Sequence, residues 1–117
     1  MHNFTSVKDA YNIQNLINEA LLMKKTPHSD KHLGKNRTLG LLFFNSSLRT
    51  RLSTQKAAQN LGMEVMIMNV GADSWQLEMN EGVIMNGDKA EHISEAAAVV
   101  GQYCDIVGVR SFPGLVD

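Results

Sequence analysis

The segment Ser47-Leu48-Arg49-Thr50-Arg51 places two hydroxyls and two guanidiniums within one helical turn's reach, directly after the polar break Asn45-Ser46. Hydroxyls give short hydrogen bonds to phosphoryl oxygens, and a guanidinium can grip two oxygens at once. A helix starting here would add its unpaired N–H groups and the positive end of its dipole to the same site. The chemistry implied is the binding of a small phosphorylated molecule. Neither a Walker loop nor Gly-x-Gly-x-x-Gly accompanies the segment, so ATP and NAD lack their usual sequence support. An N-cap serine followed by a solvated basic turn would leave the same letters.

Two other residues could join such a site. Arg110 ends the apolar run Ile106-Val107-Gly108-Val109, where a charge can sit at a sheet edge with its stem packed on the core. A surface salt bridge is the plainer reading of that arginine. Trp75 is the only tryptophan; its indole N–H can only donate, which suits a phosphate oxygen, and otherwise it reads as a partly buried anchor. His28, His32 and His92 show no ligand spacing to one another, and the carboxylates Glu78, Glu81, Asp88 and Glu91 have no His or Cys at metal-site spacing. No metal is expected. Cys104, the single cysteine, excludes an internal disulfide and reads as a buried thiol.

The elements that must position these groups follow from the hydrophobic pattern. Ser6-Val7-Lys8-Asp9 has the form of a helix start. Ile13, Leu16, Ile17, Ala20 and Leu21 then share a face, and Lys24, Lys25 and Pro27 mark the end. After a polar connector to about Asn36, the dense run Thr38-Leu39-Gly40-Leu41-Leu42-Phe43-Phe44 is too short for a typical helix and apolar on both faces, which predicts a buried strand. Leu48, Leu52, Ala57, Ala58 and Leu61 predict a second helix that stops at Gly62. Glu64 to Val70 predicts a strand, and the aperiodic stretch from Gly71 to Lys89 a long loop of the kind that is usually functional. Ile93, Ala96, Ala97 and Val100 predict a third helix ending near Gly101, and Asp105 to Val109 a third buried strand.

A helix followed by β-α-β-α-β calls for an α/β fold: a single three-layer domain over residues 1–117, with a parallel sheet and helices on its faces. Ligands of such sheets bind beyond the carboxyl ends of the strands. Ser47 to Arg51, the stretch after Gly71 and Arg110 all fall at those ends.

The 117 residues suit one domain, and the 44% hydrophobic and 20% charged fractions are those of an ordinary globular protein. Eleven basic against twelve acidic residues give no cationic surface for nucleic acid. The start, Met1 to Thr5, is polar, and no apolar run reaches membrane-span length, so a cytoplasmic location without membrane contact is expected.

Ser47-Leu48-Arg49-Thr50-Arg51 resembles the Ser-x-Arg-Thr-Arg carbamoyl-phosphate motif of the aspartate and ornithine carbamoyltransferase family, which lies, as here, between the first strand and second helix. The likeness continues through Phe43-Phe44-Asn45-Ser46 before the motif and Leu52-Ser53-Thr54-Gln55-Lys56 after it. It recurs at Val107-Gly108-Val109-Arg110-Ser111-Phe112 and covers essentially the whole chain. Leu48 replaces the usual Thr, as in the branch acting on N-acylated ornithine.

The resemblance implies that Ser47, the Leu48 backbone, Arg49 and Thr50 bind carbamoyl phosphate, with Arg110 opposite. Arg49, Thr50 and Arg110 would be the catalytic group. It implies that Trp75 reaches the site of a neighbouring subunit in a homotrimer, and that Ala90, in Gly87-Asp88-Lys89-Ala90-Glu91-His92, bears on acyl selectivity. Acetylornithine enzymes carry Glu at that position and succinylornithine enzymes Pro; Ala90 matches neither, but a small neutral residue leaves room for the succinyl carboxylate.

The implied reaction is carbamoyl transfer to N-succinylornithine in arginine biosynthesis, without a cofactor. The alternatives are N-acetylornithine or ornithine as acceptor, and a phosphate-binding module without turnover. Leu48 and Trp75 disfavour plain ornithine. Related enzymes carry a His-Pro-x-Gln segment and a second, acceptor-binding domain beyond the part matched here, so residues 1–117 are expected to be an incomplete, inactive portion of the enzyme.

Overall fold

The run Thr38–Phe43 forms β1, the central strand: both its backbone edges pair with neighbouring strands, and its apolar side chains on both faces call for cover from the layers packed on the sheet. The computed structural model describes residues 3–70 and 86–111, with the backbone alone for residues 86–93. Within these, β2 (Glu64–Asn69) and β3 (Ile106–Arg110) flank β1 in the order β2-β1-β3. Both pairings are parallel, with Phe43 level with Asn69 on one side and with Arg110 on the other.

The helices α1 (Ile13–Lys25), α2 (Leu48–Asn60) and α3 (Asn86–Tyr103) alternate with the strands, which is the α/β arrangement expected. Leu41 and Phe43 of β1, Val70 after β2, Ala58 of α2 and Val100 of α3 are buried and form the core.

Several local readings change. Ser6 begins only a short 3-10 turn, Val7–Asp9, in which the Asp9 carboxylate accepts the N–H groups of Thr5 and Ser6. Those bonds hold the Asp9 carboxyl below the usual carboxylate range. The backbone is then extended at Ala10, and α1 starts anew, with Asn12 accepting the Asn15 N–H. Either residue type can cap a helix; the extended backbone between them decides which one does. The apolar face of α1 forms as expected, yet Ile13, Leu16, Ile17 and Leu21 stay 45–58% exposed.

The third helix starts at Asn86, so Asn86 to Lys89 are helix rather than loop, and it passes Gly101 to Tyr103. The Cys104 N–H bonds to the Val100 carbonyl and continues the helical ladder beyond that glycine. One interior glycine costs only about 1 kcal/mol, which such a ladder absorbs. Cys104 is half-buried rather than fully buried, with its sulfur against Gly40; a Cβ on Gly40 would lie 2.6 Å from that sulfur. The stretch from Gly71 to residue 85, with Trp75, lies outside the described residues.

Gly62 ends α2 as expected. Its φ of +85° is the left-handed cap conformation, and a Cβ there would meet the Lys31 carbonyl oxygen. The turn it makes also lets the Gly34 N–H reach the Leu61 carbonyl, tying the connector to the end of α2. Gly62→Ala is expected to destabilise the protein by more than about 1 kcal/mol through backbone strain and that clash. A urea midpoint equal to that of the unsubstituted protein would show that the turn does not need a left-handed residue.

Candidate functional site

Three features bring the candidate residues together at the carboxyl end of the sheet. The first is the junction of β1 with α2. Phe43 is buried, the chain bends at Phe44 and Asn45, and Ser47 takes an extended conformation as N-cap of α2. Its Oγ accepts the Thr50 N–H at 3.3 Å, and its carbonyl accepts the Arg51 N–H at 3.1 Å. The N–H groups of Leu48 and Arg49 precede that first i to i−4 bond and have no intrahelical acceptor. They point along the axis of a 13-residue helix, out of its positive end.

The second feature is the register of β3 against β1. At the far end of the pair, the Asp105 carboxylate accepts the Thr38 N–H at 2.8 Å and an Arg37 guanidinium N–H at 3.3 Å. The Thr38 bond first, and Arg37 beside it, hold the Asp105 carboxyl below the usual carboxylate range. The Asp105 N–H in turn donates to the Thr38 carbonyl, and at the other end the Phe44 N–H donates to the Arg110 carbonyl. Clipped at both ends, the pair sets Arg110 opposite Phe43. A slip of one residue would send the Arg110 side chain to the other face of the sheet.

The third is the meeting of these two elements. Arg110 Nη1 donates to Thr50 Oγ1 at 3.2 Å, across 60 residues of sequence. Arg110, Thr50 and Ser47 are half-buried, whereas Arg49 is exposed. The arrangement offers an anion the end of a helix, two hydroxyls and guanidiniums from two elements.

An open depression lies against the start of α2, lined by Ser47, Leu48, Arg49, Thr50 and Leu52. Leu48 and Leu52 are 75% and 56% exposed and stand on its rim, so they are not core residues of α2 as their helical spacing suggests. Only Ala58 of that helix is buried. Ala58 is where α2 is buried, and Leu52 and Leu48, nearly two and nearly three turns closer to the helix start, are left exposed. Leu52 was not among the site residues expected, and the hydrogen bond between Thr50 and Arg110 was not foreseen either. Residues 60 positions apart carry no local signal of contact.

Ser47, Leu48, Arg49, Thr50 and Arg110 are thus gathered at one end of the sheet. Ala90 lies in the second turn of α3, and its side chain is outside the described residues, as is the whole of Trp75. No helix among the described residues is long and apolar enough to cross a membrane.

Comparison with known proteins adds the following. The sequence model of the family described as "Aspartate/ornithine carbamoyltransferase, carbamoyl-P binding domain" matches residues 2–116. The chain is 52% identical over 117 residues to N-succinylornithine carbamoyltransferase of Bacteroides thetaiotaomicron, covering all of this chain and 37% of that protein. It is 42% identical over 102 residues to N-acetylornithine carbamoyltransferase of Xanthomonas campestris, covering 87% of this chain and 30% of that protein.

Among solved structures, acetylornithine transcarbamylase complexed with acetylcitrulline superposes with a TM-score of 0.70 at 38% identity, over 100% of this chain and 35% of that one. A glutamate-to-alanine mutant of N-acetyl-L-ornithine transcarbamylase, complexed with carbamyl phosphate and N-succinyl-L-norvaline, gives 0.71 at 39% identity over the same shares. The chain therefore spans 30–37% of the length of these relatives.

Proposed function

Because the chain belongs to the aspartate/ornithine carbamoyltransferase family, within its carbamoyl-P binding domain, we propose that residues 1–117 hold carbamoyl phosphate for transfer to an N-acylated ornithine. The observation that carries this reading is the Arg110 to Thr50 bond at 3.2 Å over the Ser47-capped start of α2. A doubly charged phosphoryl group would be matched there by positive charge and N–H donors. Ser47, the Leu48 N–H, Arg49 and Thr50 would bind its oxygens, and Arg110 would pull on the carbonyl and phosphate oxygens from the opposite side.

In the proposed reaction the δ-amino nitrogen of the acceptor attacks the carbonyl carbon. A carbon–nitrogen bond forms, the carbon–oxygen bond to phosphorus breaks, the amine loses a proton and phosphate departs, leaving an acylcitrulline. Negative charge grows on the carbonyl and phosphate oxygens as this happens, and fixed guanidiniums and N–H donors stabilise it without reorganising. Phosphate is a good leaving group, so the reaction calls for no cofactor. Arginine biosynthesis in the cytoplasm is the proposed setting, and a homotrimer with Trp75 completing a neighbour's site the proposed assembly.

The acceptor we favour is N-succinylornithine. Identity is higher to the succinyl enzyme, at 52%, than to the acetyl enzyme, at 42%. Ala90 supports the same choice, since it brings no charge against a second carboxylate and takes little room, whereas a glutamate would repel it. The solved glutamate-to-alanine mutant that binds a succinylated norvaline agrees with that physical argument.

In an enzyme of the relatives' full length, kcat/KM is expected to be higher for N-succinylornithine than for N-acetylornithine, with Ala90→Glu lowering that ratio about tenfold or more, the equivalent of about 1.4 kcal/mol. A preference for the acetyl substrate before substitution would overturn the assignment of the acyl group. Turnover of neither substrate, with phosphate still bound, would favour a non-catalytic module.

A further inference from the structure

Thr50 is held at both ends of its short side chain's reach. Its N–H is tied to Ser47 Oγ at 3.3 Å, inside the first turn of α2, and its Oγ1 lies 3.2 Å from Arg110 Nη1. A guanidinium can only donate, so in this bond the threonine oxygen must be the acceptor. The hydroxyl hydrogen is thereby turned away from Arg110 and left able to donate elsewhere. A threonine side chain branched at Cβ also has few χ1 states inside a helix, which makes it a firmer post than serine or a longer polar residue.

Arg110 has the opposite character, with several rotatable bonds between the backbone and its charge. The β1–β3 register fixes its Cα opposite Phe43, but a Cα position alone leaves the guanidinium a wide arc. The bond to Thr50 narrows that arc to the start of α2.

We propose that Thr50 is a positioning residue for Arg110: its hydroxyl oxygen fixes the Arg110 guanidinium over the N-terminus of α2 before an anion arrives, so that the two residues act as one unit. The inference rests on the anion-binding reading above and deepens it, because it gives Thr50 a role through Arg110 besides any direct contact with phosphate. Preorganisation of this sort strengthens binding by lowering the ordering cost at the moment of association.

A double-mutant cycle in the intact protein tests it, with inorganic phosphate as the calorimetric probe. Thr50→Val keeps the branched shape and removes the oxygen, and it is expected to weaken phosphate binding about tenfold, the equivalent of about 1.4 kcal/mol. Thr50→Ser, which restores the oxygen, should recover most of the lost affinity. In an Arg110→Met background, Thr50→Val should cost clearly less than in the unsubstituted protein, because the residue it positions is gone and only its direct contact with phosphate is left to lose. Thermal melts identify any variant that fails to fold, in which case Thr50→Ala supplies the same comparison.

Equal losses from Thr50→Val in both backgrounds would mean that Thr50 acts on phosphate independently, and would overturn the inference while leaving the proposed function standing. An Arg110→Met protein with undiminished phosphate affinity would overturn it too. No phosphate binding by the unsubstituted protein would remove the anion-binding reading and this inference together.

Discussion

Residues 1–117 alone are expected to produce no acylcitrulline from carbamoyl phosphate and an acylated ornithine, while still binding phosphate. These residues carry the anion-binding parts: a capped helix start, Thr50 and Arg110 joined at 3.2 Å, and Arg49 beside them. Relatives catalysing the reaction are nearly three times as long, since the match covers 37% of the succinyl enzyme. We place the acceptor site in the part of those proteins beyond the match. Holding two reactants in line can supply about 7–11 kcal/mol of a barrier, and electrostatic stabilisation of the departing phosphate cannot replace that. The measurement is product formation by purified residues 1–117 against a buffer blank, with phosphate binding followed in parallel. Acylcitrulline above the blank would show that the acceptor docks on this domain and would move the proposed division of labour.

How much of this arrangement the letters carried depends on whether the deciding contact is local. Thr38 to Phe44 reads as a buried strand because its two faces are apolar, and it is the central strand. Gly62 reads as a left-handed stop because only glycine adopts that backbone freely, and its φ is +85°. Ser47 reads as a cap because its hydroxyl needs only a partner three residues on.

Where the outcome turned on something distant, the pattern misled. Leu48 and Leu52 keep core-like spacing, yet α2 meets the sheet through Ala58, and the helix direction leaves both leucines at the rim of the depression. Asn86 to Lys89 are polar and include Gly87, so they lack the apolar period that marks a helix, but the helix starts there. The site itself divides the same way. A phosphate-binding turn was legible from five adjacent residues, whereas the bond that couples Thr50 to Arg110 depends on a β1–β3 register set as far away as Asp105.

In a full-length enzyme, Arg49→Ala is expected to weaken carbamoyl phosphate binding and turnover together. Arg49 stands in the first turn of α2, exposed on the depression that Ser47 and Thr50 also line. It brings full positive charge to the end of a helix dipole already favouring an anion. Losing a hydrogen bond to a charged ligand costs about 1.5–3 kcal/mol, which is roughly ten- to more than a hundredfold in affinity. The charge is on the surface side, so the fold should survive and the loss should appear in binding rather than in the melting temperature.

The same variant can test the proposed sharing of sites between subunits. If Trp75 completes a neighbour's site, a Trp75→Ala enzyme is also impaired, because the indole N–H that would meet the phosphate is missing. When the two impaired enzymes are unfolded, mixed and reassembled, some sites receive an intact Arg49 from one chain and an intact Trp75 from another. Activity should then rise well above the average of the two parents. No recovery in oligomers verified to contain both chains would place Trp75 in its own subunit's site. An Arg49→Ala enzyme with undiminished carbamoyl phosphate affinity would instead remove Arg49 from the site and leave Ser47, Thr50 and Arg110 to bind the anion without it.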